Sequence, residues 1–203
     1  ISKDNAILAM VHDCGIFENR KEPELRKFLY PRLRYLFRFV NQILNGSKLF
    51  PDLDNNQKFE LSVLKSQRDV DATAISFKAI FSLFTPSTIG SCLEEVEVSS
   101  VDNRQPLPEG IKTSEGKWNT TGEPARAVHF TPQVLRVMSL LTSGDSSGWH
   151  STEIISVFRS EHLKALDAFS RATQGPKPII AEALPICNEK ECKKLALIDE
   201  KPG

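Results

Sequence analysis

The segment PRLRYLFRFVNQILNG, residues 31–46, constrains the fold more than any other, because its apolar residues keep one spacing from end to end. They recur at i, i+3, i+4, i+7 and i+11, as Leu33, Leu36, Phe37, Val40 and Leu44. This spacing is typical of one face of an amphipathic helix. Pro31 suits a first helical turn, and Gly46 suits a helix end. We therefore predict a helix over residues 31–46.

Two shorter helices are predicted before this segment. DNAILAMVHDCG begins with a capping residue, Asp4, and ends at Gly15, which suits the left-handed end of a helix. PELRKFLY begins at Pro23 and is the second. Farther along, residues 59–63 alternate as in a strand, whereas the apolar residues of 72–83 keep helical spacing, and CLEEVEVSSV alternates again. Residues 1–98 are thus predicted to be a helical region that can include short strands.

The segment from Ser99 to Pro124 is dense in Pro, Gly, Ser, Thr and Asn, so residues 99–124 are predicted to be a linker or an ordered loop. After it, FTPQVLRVMSLLTSG predicts a helix with Thr131 as its N-cap. STEIISVF and SEHLKALDAFSRAT predict two more helices, joined by a tight turn. The run KPIIAEALPICNEKECKKLALID fits a β-hairpin with a four-residue loop.

This order of helix, short strand, helix, turn, helix and hairpin resembles the winged-helix superfamily over residues 125–203. The predicted fold class is therefore α+β, mainly α, with an N-terminal helical region followed by a winged-helix-like module of three helices and a β-hairpin. The resemblance implies that residues 160–171 form a recognition helix that offers Lys164 and Arg171 to nucleic acid. It also implies a wing that offers Lys190, Lys193 and Lys194 to phosphates.

A second cationic segment lies at residues 20–38, where basic groups alternate with aromatic ones. Its candidate nucleic-acid contacts are Arg26, Lys27, Arg32, Arg34 and Arg38. Such a pattern can follow a phosphate backbone while bases stack on the rings, but the polar side of any amphipathic helix also carries charge. Tyr35 and Phe39 are candidate partner-binding residues, since Phe39 lies off the main apolar stripe.

Composition excludes some classes of function. The 203 residues carry 26 basic and 26 acidic side chains, so no strong net field attracts the chain to nucleic acid or to an anionic membrane. No apolar run is long enough to span a bilayer, so no membrane partner is predicted.

The four cysteines form no CxxC pair and are read as free thiols of an intracellular, or nuclear, protein. The alternative is a secreted protein with disulfides, which sequons at Asn45 and Asn119 would suit.

No catalytic motif, cofactor signature or metal-ligand spacing is recognised, and we predict that the protein is not an enzyme. In VHDCG, His12 and Cys14 would point in different directions on a helix, so they are not predicted to form a nucleophile pair. The prediction is a non-enzymatic protein–protein interaction module, a subunit of an intracellular assembly that acts on nucleic acid or chromatin. Carboxylates at Glu161 and Asp167 favour this over the alternative, direct DNA or RNA binding by the segment 20–38 and the wing. The sequence gives no oligomeric state.

Overall fold

The segment predicted as the longest helix is a central strand of a five-stranded mixed sheet. The computed structural model describes residues 6–66, 71, 73–94 and 110–172. In chain order the strands are β1 Ile7–Asp13, β2 Leu33–Val40, β3 Lys58–Lys65, β4 Phe77–Leu83 and β5 Val128–Phe130. They lie side by side as β1-β3-β2-β4-β5. β2 and β4 run parallel, and every other neighbouring pair is antiparallel.

In the described part of the chain, five α-helices accompany the sheet: α1 Gly15–Glu18, α2 Pro23–Leu29, α3 Thr88–Leu93, α4 Pro132–Ser143 and α5 His162–Ala172. Two 3-10 turns lie at Pro124–Arg126 and Trp149–Ser151. The predictions for α2, α4 and α5 are confirmed. In α4 the Thr131 side chain accepts a hydrogen bond from the Val134 N–H, and Gly144 ends the helix with φ +76°.

The predicted fold class is wrong: the N-terminal region is mainly a sheet, not mainly helix. The predicted helices at 4–15, 31–46 and 72–83 are β1, β2 and β4. β2 is buried on both faces, and a strand of this kind is apolar at most of its positions. Some of its apolar residues therefore fall at helical spacing even though the segment is a strand. The predicted helix at 151–158 is also wrong, because Ser151 ends a 3-10 turn and residues 152–157 form neither helix nor strand. The predicted hairpin, with Lys190, Lys193 and Lys194, and the predicted strand at Val96 and Val98 lie outside the described residues.

The two faces of the sheet carry separate apolar clusters. On the first face, Leu36, Ala79 and Val128 form one row across β2, β4 and β5, and Leu135 and Met138 of α4 belong to the same cluster. On the second face, the rings of Phe39 and Phe59 stack 5.0 Å apart, in a cluster that includes Cys92 of α3. Both faces of the sheet centre are therefore covered.

Contacts within the chain define two units, Ile1–Ser170 and Arg171–Gly203. The first unit contains all five strands, including β5, which follows the segment predicted as a linker and pairs with β4. Of the second unit, the structure describes only Arg171 and Ala172, at the end of α5.

Candidate protein-interaction surface

Among the described residues, β1 pairs with a strand on one side only, so its outer edge is open. The Ser66 N–H donates to the Ala6 carbonyl at 2.7 Å, so Ala6 and Ser66 form a hydrogen-bonded pair. Because such pairs alternate in an antiparallel ladder, Leu8 and Met10 direct their main-chain groups toward β3, and Ile7, Ala9 and Val11 direct theirs outward. Within the described ranges, these outward groups bond to no other segment. An edge of this kind can pair with another strand.

The side chains beside this edge form an apolar surface, which we call the open sheet face: Ile7, Ala9, Val11, Tyr35, Leu61 and Val63. Ile7 is 77% and Val11 61% exposed, and the last three are half-buried. The ladder places Ala9, Val63 and Tyr35 in one row and Val11, Leu61 and Phe37 in the next. These rows continue the second face of the sheet beyond the cluster that contains α3. Contiguous exposed apolar surface of this kind marks interaction sites.

A row of polar side chains fixes β1 to the sheet on its opposite face. His12, Glu60 and Arg38 stand side by side on β1, β3 and β2. His12 Nε2 lies 2.7 Å from Ser62 Oγ, and Arg38 Nε donates to Glu60 Oε1 at 2.7 Å. The first contact joins the edge strand β1 to β3, and the second joins β3 to β2, so the open edge has a defined position.

Arg38 is the centre of this row. It is 1% exposed, and its Nη1 lies 2.8 Å from Glu18 Oε1 and 2.5 Å from Ser156 Oγ. Burial raises the pKa of Glu60 to about 7, and the Arg38 guanidinium limits that rise. Glu60 Oε2 accepts no hydrogen bond from the described residues. The row therefore holds a carboxyl group that can gain or lose its proton near neutral pH.

Cys14 lies near this row but has no features of a nucleophile. Burial raises the pKa of its thiol to about 12, and the charge of Glu60 adds to the rise. A thiol with such a pKa stays protonated at neutral pH, whereas nucleophilic cysteines need the thiolate. The described residues contain no group of three His, Cys, Asp or Glu side chains that could hold a metal ion.

The structure separates the basic residues of segment 20–38. Arg26 is buried and donates to the carbonyls of Ile16, Asn19 and Ser151, while Arg38 is buried in the polar row. Lys27 is exposed, and Arg32 and Arg34 are partly exposed. On α5, Lys164 and Arg171 are exposed. The exposed candidates for phosphate contact in this segment are therefore Lys27, Arg32 and Arg34.

The two residues predicted to bind a partner lie in different surroundings. Phe39 is 4% exposed and stacked on Phe59, so it is not part of the surface. Tyr35 is half-buried and lies at the margin of the open sheet face. Sequence reasoning missed Ile7 and Val11. The signal that could have found them is the short apolar run from Ala6 to Val11, whose length suits a strand better than a helix.

In comparisons with known proteins, the chain matches no protein-family model and no curated protein sequence. None of the helices in the described ranges has the length and apolar character needed to cross a bilayer.

Proposed function

We propose that the protein is a non-enzymatic interaction module that docks through the open edge of β1, and that its partner there is a second copy of the chain. The observation that carries this proposal is the outward backbone of Ile7, Ala9 and Val11 beside the open sheet face. Strand addition to such an edge gains main-chain hydrogen bonds and apolar contact together.

Self-pairing of β1 has a register that fits its side chains. When two β1 strands run antiparallel about a two-fold axis at Met10, Ala9 lies opposite Val11 of the other copy, and Ile7 opposite its Asp13. All of these positions direct their main-chain groups outward, so each facing pair can exchange two hydrogen bonds. The two open sheet faces then lie side by side as one apolar surface.

Charge complementarity supports this register over shifted ones. Lys65 is the neighbour of Ile7 in the ladder, at the opposite end of β1 from Asp13. In the antiparallel pair, Asp13 of one copy comes opposite Ile7 of the other, so it lies two strands, about 10 Å, from Lys65 of that copy on the same face of the sheet. The two-fold axis repeats this attraction between opposite charges at the other end, so a register shift would weaken both attractions at once.

Sedimentation velocity over a range of protein concentrations tests this proposal. The expected result is a concentration-dependent dimer, with slowed hydrogen exchange at the Ala9 and Val11 amides. Ala9→Pro removes an outward N–H and should dissociate the dimer, since an edge strand tolerates proline. Val11→Lys leaves the backbone intact and places a cation on the open sheet face, so it is expected to act in the same way.

The matched control is Ile111→Lys, which adds the same charge at another exposed apolar position, 43% exposed and outside the sheet. It should leave the dimer unchanged. A chain that remains monomeric at every concentration, or a dimer that survives Val11→Lys in a folded protein, would overturn the proposal.

Direct nucleic-acid binding is a second candidate, supported by one surface feature. The Arg32 guanidinium lies 3.9 Å from the centre of the Phe28 ring, and Phe28 is 56% exposed. An exposed ring beside cations can stack with a base. Fluorescence anisotropy with single-stranded and duplex oligonucleotides tests it: salt-sensitive binding should be lost in Arg32→Glu/Arg34→Glu, and equal binding by that variant would rule it out.

A further inference from the structure

A groove lies at the carboxyl ends of the parallel strands β2 and β4. It encloses about 770 Å³. One wall comes from the residues that follow β2, including Gln42 and Leu49, and another from Phe84 and Thr85, which follow β4. In α/β proteins, ligands bind outside the carboxyl ends of parallel strands, where the connecting segments diverge. The volume is within the usual range for small-molecule sites.

The wall after β2 is held in place by its own hydrogen bonds. Asn41 is fully buried, and its side-chain amide donates to the carbonyl of Phe50 at 3.0 Å and to that of Leu53 at 3.1 Å, while its side-chain oxygen accepts from the Phe50 N–H. Asn45 and Gly46 both have positive φ, 51° and 84°, between the bridged residues Leu44 and Ser47. This is the geometry of a two-residue type I′ turn. The wall is therefore formed before any ligand binds.

The opposite wall is aromatic. The rings of Phe84 and Trp118 lie 4.8 Å apart, and Trp118 is only half-buried. The Lys112 ammonium lies 4.7 Å from the centre of the Trp118 ring, which adds positive charge near that wall. A flat ring of a ligand can make apolar and cation–π contacts at such a wall.

The charges in the lining are all positive. Lys48 and Lys117 line the groove together with hydroxyl groups of Ser47, Thr85 and Thr120, and none of the described lining residues is a carboxylate. Lys48 Nζ donates to the Leu53 carbonyl at 2.6 Å, which places the ammonium and leaves other protons for a ligand. Lys117 pairs with Glu115 at 2.7 Å, but both are more than two-thirds exposed, so a ligand anion can replace this weak pair.

We propose that this groove binds a small organic anion that carries a flat ring, of the chemical class of the nucleoside monophosphates. The phosphate contacts Lys48, Lys117 and neighbouring hydroxyls, and the ring packs near Trp118 and Phe84. The groove shares no lining residue with the open sheet face or with the polar row, so its test does not depend on pairing at β1.

Tryptophan fluorescence tests the proposal directly. The chain has two tryptophans, so Trp149→Phe leaves Trp118 as the only one. In this background, adenosine monophosphate should change the Trp118 emission in a saturable way. Adenosine and inorganic phosphate should each bind at least about tenfold more weakly, because each supplies only half of the contacts.

Substitutions separate this site from non-specific anion binding. Lys48→Gln and Lys117→Gln should each weaken adenosine monophosphate binding by about three- to tenfold and reduce its salt dependence. Lys164→Gln, an exposed lysine on α5, makes the same charge change and should have no effect. Urea midpoints of all variants show that they are folded. No change in Trp118 emission through millimolar adenosine monophosphate, or equal affinity in both groove variants, would overturn the proposal.

Discussion

The Arg38 guanidinium binds the Glu60 carboxylate inside the protein: Nε donates to Oε1 at 2.7 Å, and the two side chains are 2% and 0% exposed. A buried charge that loses its partner is costly, because nothing then offsets its desolvation. We expect Arg38→Met to lower the free energy of unfolding by about 3 to 5 kcal/mol. Urea denaturation measures this.

The control for that substitution is the exposed pair of Lys117 and Glu115, where Lys117→Met should cost less than about 1 kcal/mol. The double variant Arg38→Met/Glu60→Leu removes both buried charges and should recover much of the loss. A single variant Arg38→Met as stable as the parent chain would show that the buried pair contributes little.

Glu60 makes stability depend on pH in a defined direction. Burial raises its pKa from 4.5 to about 7, so the folded state binds the proton more tightly than the unfolded state. This contribution is fully present below pH 4.5 and is lost as the pH rises through about 7. The expected loss is about 3 kcal/mol. Urea midpoints across this range should fall with rising pH, and Glu60→Gln should flatten the decline. An unchanged slope in Glu60→Gln would assign it to other groups.

The sequence was sufficient to predict α4, whose two ends carry local signals that the structure uses. Thr131 and Pro132 mark the start of α4, and Gly144 marks its end, because capping depends on residues next to one another. The identity of β2 as a strand is not decided by residues next to it in the sequence. Its identity comes from β3 and β4, which pair with its two edges, and from the apolar clusters that bury its two faces. No periodicity within residues 31–46 reports these contacts.

One local signal was present and was misread. Asn45-Gly46 is a common type I′ pair, and its positive φ angles form the turn that shapes the groove wall. Interpreting Gly46 as a helix end extends the predicted helix over residues that in fact form a strand and a turn. The open edge of β1 is different, since an edge strand is defined by which neighbour is missing, and that depends on the whole sheet.

The Cys14 thiol should be unreactive in the folded protein. Burial raises its pKa to about 12, and Cys14 is only 5% exposed to solvent. We expect iodoacetamide to label Cys14 far more slowly in native buffer than in urea, as followed by mass spectrometry of the peptide that contains it. Cys92, also buried with a pKa raised by burial, is the internal comparison. Equal labelling of Cys14 in native buffer and in urea would mean that water and reagent reach the thiol.

Gly122 and Gly90 provide a matched pair of substitutions around α3. A Cβ at Gly122 would lie 2.5 Å from the Thr88 carbonyl oxygen and 2.7 Å from the Ser91 Cβ, so Gly122→Ala must displace the segment from α3. We expect it to cost about 1 to 3 kcal/mol, as overpacking commonly does. A Cβ at Gly90, within α3, meets nothing within 4 Å. Gly90→Ala should therefore stabilise the protein by about 0.5 to 1 kcal/mol, because alanine loses less backbone entropy in a helix. Thermal unfolding of the two variants measures both signs, and a Gly122→Ala protein as stable as Gly90→Ala would contradict the close approach of this segment to α3.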